Sequence, residues 1–145
     1  MKLKSFLLFT LVLASTALAG AADQILAGPK GGRLLAAEPH ATEFFVTPDH
    51  KVEITFYDSA HQLVARGAQV VAITAEAPDG RERVELEPTT NGFVSRAPLP
   101  KGAPYRVVVQ VRASPEARPQ NFRIDLNTEH CGGCDRAEYA CTCAH

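Results

Sequence analysis

From Thr42 onward, apolar residues recur at every second position. Phe44 and Val46 share one face, and Val52, Ile54 and Phe56 alternate with Glu53, Thr55 and Tyr57. Gln69 to Glu76 is rich in valine and isoleucine, and Val84 and Leu86 alternate with Arg83, Glu85 and Glu87. Tyr105, Val107, Val109 and Val111 make the longest stripe, opposite Arg106, Gln110 and Arg112; Val108 interrupts the polar face. Phe122, Ile124 and Leu126 alternate with Arg123 and Asp125. A repeat of two is the period of a β-strand with one face buried. Turn chemistry separates the runs. Pro48-Asp49-His50 and Pro78-Asp79-Gly80 combine a proline that presets φ with residues that tolerate a sharp bend, and Asn91-Gly92 marks a hairpin. Prolines at 98, 100, 104, 115 and 119 exclude long helices.

About seven or eight short strands follow, with turns at intervals that suit a β-sandwich. The predicted fold is all-β, an immunoglobulin-like or fibronectin-like sandwich spanning 34–129. The chain holds no tryptophan and no cysteine before Cys131, so the tryptophan and inter-sheet disulfide of antibody domains are absent. Residues 130–145 form a short irregular tail rich in cysteine and histidine. Residues 20–33 are small and glycine-rich, and Gly28-Pro29-Lys30-Gly31-Gly32-Arg33 reads as a flexible linker into an edge strand at Leu34-Leu35.

The N-terminus has another logic. Lys2 and Lys4 precede the apolar run Phe6 to Leu13, and Ala17-Leu18-Ala19 offers a small-x-small cleavage site. Residues 1–19 therefore read as a secretory signal, and the mature protein as periplasmic or secreted. No later run approaches the roughly 20 apolar residues of a membrane span. With Lys2 and Lys4 removed, 15 basic residues become 13 against 16 acidic ones, a net of −3. That balance, without a basic stripe, excludes a nucleic-acid binder.

All four cysteines lie in the tail, spaced C-x2-C-x6-C-x-C, with His130 before the first and His145 after the last. A segment with Tyr139 as its one large side chain has too little to bury, so its order should come from a metal or from cross-links. Cys131, Cys134, Cys141 and Cys143, with His130 and His145, are the predicted metal ligands. Tetrahedral zinc takes four thiolate or imidazole ligands, a C-x2-C pair chelates one ion, and the C-x-C pair completes the set. Gly132-Gly133 clears side chains from the first loop. Copper(I) is the rival for soft thiolates. Met1 is the only methionine, so a mature copper site would lack thioethers, which favours zinc.

Disulfides are the structural alternative: four cysteines in an exported chain allow three pairings. A thiol-disulfide redox role is a third reading, without the βαβ setting such a motif usually occupies. His40, His50 and His61 sit at or near turns and read as solvated. No nucleophile elbow, phosphate loop or paired helical carboxylates occur, so no catalytic residue is predicted and the protein is not expected to be an enzyme.

The segments Gly28-Pro29-Lys30-Gly31-Gly32-Arg33-Leu34, His40-Ala41-Thr42-Glu43-Phe44 and Lys51-Val52-Glu53-Ile54-Thr55-Phe56-Tyr57-Asp58 carry a resemblance. The chain there resembles the small N-terminal β-domain of periplasmic adaptor subunits in heavy-metal efflux systems of the resistance-nodulation-division type, and small exported proteins associated with them. The resemblance implies a periplasmic protein that handles a transition metal and has an efflux complex as partner. It transfers no ligand, since the tail is outside the likeness. The expected function is a metal buffer or donor. The alternative is a structural or interaction domain with a disulfide-bonded tail. A chain ending at Glu129 is expected to keep the stability of the metal-free full chain.

Overall fold

A computed structural model describes residues 24–143. In chain order the strands are β1 (Leu26–Ala27), β2 (Arg33–Leu35), β3 (Ala41–Val46), β4 (Val52–Tyr57), β5 (Val70–Ala77), β6 (Gly80–Val84), β7 (Leu86–Thr89), β8 (Gly92–Ser95), β9 (Tyr105–Arg112) and β10 (Gln120–Leu126). A single 3-10 turn, Glu138–Ala140, follows. The strands form two antiparallel sheets, ordered β1-β2-β3-β4-β8-β7 and β10-β9-β5-β6. The fold is all-β, as the alternation requires.

The apolar stripes meet in one core. Phe44, Val52, Ile54 and Phe56 from the first sheet join Val71, Ile73, Val107, Val109, Val111, Ile124 and Leu126 from the second. β9 lies between β5 and β10, so its stripe is covered along its whole length. Val108 stays on the outer face, opposite Thr74 and Arg123. Among the described residues no helix is long and apolar enough to cross a membrane.

Two expectations change. The alternating run 83–87 is not one strand: β6 ends at Val84 in the second sheet and β7 begins at Leu86 in the first. Glu85 is the crossing point between sheets. The run keeps its period because each piece presents its own apolar residue to the shared core.

The described part of the expected linker is held in place rather than flexible. Leu26 and Ala27 pair with Leu34 and Arg33, and Gly31 takes a positive φ of 89° in the turn between them. The carboxylate of Glu43, wholly buried, accepts the N–H groups of Lys30 (3.0 Å) and Gly32 (2.8 Å) and the hydroxyl of Tyr57 (2.9 Å). A Cβ on Gly28 would lie 2.2 Å from Glu43 Cδ, so only glycine leaves room for that carboxylate. The loop thereby covers the outer face of β3 and β4, where Thr55 and Tyr57 are buried although their alternation places them away from the core. A buried charge is tolerated when its lone pairs are met, and here three donors meet them.

Candidate metal centre

The tail leaves β10 through Asn127, whose side-chain oxygen accepts the N–H of Glu129 at 3.0 Å. The chain then folds into a small hairpin. His130 bridges to Ala137, Cys131 N–H donates to the Arg136 carbonyl (2.8 Å), and Glu138 N–H donates to the Glu129 carbonyl (2.9 Å). Cys131 and Cys134 stand at either end of its tip. The 3-10 turn follows, closed by Ala140 N–H to Ala137 and Cys141 N–H to Glu138. It returns Cys141 and Cys143 to the tip.

The result is one group of four sulfurs, all within 4.8 Å of one another, and the thiols are not cross-linked. Cys131 and Cys141 are buried on the core side, while Cys134 and Cys143 are half-buried. Cys141 Sγ is the hub, 2.7 Å from Cys131 Sγ and 3.7 Å from Cys134 Sγ, and it accepts the N–H of Cys143 at 3.4 Å. Four sulfurs at a thiolate–zinc distance of about 2.3 Å form a tetrahedron with edges near ~3.8 Å. The Cys134–Cys141 edge already has that length, and an ion would widen the Cys131–Cys141 edge. Gly133 is the tighter of the two glycines: a Cβ there would lie 3.0 Å from Cys143 Sγ, so that side chain would have to shift, whereas one on Gly132 meets nothing within 4 Å.

The local field treats the thiols differently. The backbone N–H of Arg136, aimed at the Cys134 sulfur, holds that thiol below its usual value. The Cys141 thiol is pushed up to about 12, chiefly by the hydrogen bond it shares with Cys131. Cys134 is thus poised to lose its proton, and an ion must displace the proton of Cys141.

Of the predicted ligands, the four cysteines come together. His130 does not join them: it is exposed, and its backbone pairs with Ala137. His145 lies outside the described residues, as does the expected signal 1–19. His50 and His61 occupy exposed turns with φ of 61° and 57°. Among the described residues the four cysteines are the one group of three or more Cys, His, Asp or Glu side chains placed to hold a metal.

Sequence reasoning missed the tail's attachment to the core. Tyr139 is only 4% exposed, its ring meets Phe44 edge-on at 5.8 Å, and its oxygen accepts the N–H of Val46 at 2.9 Å. Its own N–H donates to the Asn127 carbonyl (3.0 Å), and Ala140 is fully buried. The signal was present in Tyr139-Ala140, the apolar pair between the two cysteine pairs. No protein family, curated protein or solved structure matches this chain.

Proposed function

We propose that this is an exported metal-binding protein that buffers or donates a thiophilic ion, zinc before copper(I), through Cys131, Cys134, Cys141 and Cys143. The observation that carries it is the convergence of four sulfurs within 4.8 Å from two separate turns of the chain. A thiolate set of that kind suits a soft or borderline ion. Two half-buried sulfurs leave the ion an exit, which fits a donor better than a sealed structural site. The export signal and the resemblance to efflux adaptor domains support a periplasmic setting and an efflux complex as recipient. The strand orders β3-β4-β8-β7 and β10-β9-β5-β6 correspond to A-B-E-D and G-F-C with one further strand, which supports an immunoglobulin-like or fibronectin-like carrier.

The test is cobalt substitution of reduced protein with parallel metal analysis of untagged, purified material. One equivalent of ion and the intense charge-transfer band of a thiolate-rich tetrahedral site are expected, lost on Cys141→Ser and kept on His130→Ala. A spectrum of octahedral oxygen ligation would rule the proposal out.

A further inference from the structure

We propose that the four-cysteine site is also a redox gate: oxidation joins Cys131 to Cys141 and expels the ion. The release half rests on the metal-binding proposal; the choice of cysteine pair does not. Of the six single links that four cysteines allow, the geometry favours this one. Cys131 and Cys141 hold their sulfurs 2.7 Å apart, against 3.7 Å between Cys134 and Cys141, and both are buried. A disulfide needs about 2.05 Å, so closure from the metal-free geometry requires a contraction of less than one ångström. Both partners sit on anchored backbone. Cys131 is tied by its N–H to Arg136, and Cys141 by its N–H to Glu138. Neither needs to leave its place, and Tyr139 keeps its seat in the core.

Burial shields this pair from a dissolved oxidant, and the site supplies a relay. Cys134 is half-buried and lies 3.7 Å from Cys141. The oxidant is a small-molecule disulfide. The Cys134 thiolate attacks one of its sulfurs, the S–S bond breaks, and one small thiolate leaves. Cys141 then attacks the Cys134 sulfur, expelling the second small thiolate and forming a Cys134–Cys141 bond. Cys131 attacks Cys141 in turn and returns Cys134 as a thiolate. Two protein thiolates are oxidised, one small disulfide is reduced to two small thiolates, and these take their protons from solvent. An ion previously held by four thiolates keeps only Cys134 and Cys143 and dissociates.

The experiment is titration of zinc-loaded full-length protein with glutathione disulfide. A chromogenic chelator follows free zinc, and peptide mass mapping locates the cross-link. One link, Cys131–Cys141, is expected, with zinc released in proportion to it. Cys134→Ser removes the exposed relay thiol and is expected to slow the link by about tenfold or more without changing the pair. Circular dichroism of that variant confirms that its fold is retained. A final Cys131–Cys134 or Cys134–Cys141 link, any link that includes Cys143, an unchanged rate in Cys134→Ser, or zinc retained after the link forms would each overturn the gate. If the reduced protein takes up no zinc, the metal proposal fails, and mapping of the oxidised protein still decides the pair.

Discussion

Glu43 shows how one side chain can set the structure around it. Its carboxylate turns a glycine-rich stretch into a fixed loop and takes a hydrogen bond from Tyr57. Burial, reinforced by that carboxylate, holds the Tyr57 phenol above its ordinary range. A group whose folded value is raised contributes stability that is present in full below its unfolded value, near ~10 for tyrosine, and lost as pH rises towards the folded one. Unfolding free energy should therefore fall above about pH 10. Tyr57→Phe should flatten that limb and cost about 1–3 kcal/mol at neutral pH, because a buried carboxylate loses a donor. Urea melts at a series of pH values check both. At the proposed metal site, Gly133→Ala should weaken zinc binding by about tenfold, the scale of a disturbed ligand shell, while Gly132→Ala leaves it unchanged. Competition against a zinc-sensitive dye separates the two variants.

The 3-10 turn Glu138–Ala140 belongs to both core and site. It places Tyr139 and Ala140 in the sandwich, and the next residue is the hub sulfur, Cys141. The expectation that the tail can add little burial is therefore revised: one aromatic ring with a satisfied hydroxyl is enough to dock a short segment. Tyr139→Ala should cost about 3–5 kcal/mol, as for other buried aromatics. Tyr139→Phe should cost about 1–3 kcal/mol, since the Val46 N–H loses its acceptor. A chain ending at Glu129 should melt below the metal-free full-length protein. Calorimetry of the three variants without metal makes the comparison, and equal melting temperatures would return the tail to a free appendage.

For the whole molecule, docking would make the proposed metal binding and folding one linked equilibrium. An ion that binds only the folded tail stabilises the chain through mass action, by about 4 kcal/mol at a thousandfold excess over Kd. Zinc should therefore raise the melting temperature of the full chain and leave that of the chain ending at Glu129 unchanged. The effect should shrink as pH falls, because the ion must displace thiol protons, that of Cys141 above all. Melting curves with and without zinc at pH 8 and pH 6 test the sign. An equal shift at both would argue against thiolate ligands.

The strands were legible in the sequence wherever one face was buried and the other wet, because the period of two survives in the residues themselves. The stripes of β4, β9 and β10 were readable for that reason, and the cysteine spacing by itself identified the four residues that converge. Periodicity does not say which sheet a strand joins. The split of 83–87 between sheets and the burial of Tyr57 on the outer face were therefore decided only by tertiary structure. The glycine loop could be read as flexible because its order comes from Glu43, a distant carboxylate that local composition does not reveal. Tyr139 is one aromatic residue in a polar segment, and its value depends on its seat beside Phe44 and on the Val46 N–H that its hydroxyl accepts. Local spacing could select four candidate ligands, since chelation is a short-range demand. The seat of the tail in the core is a long-range contact, and only the folded chain brings its two halves together.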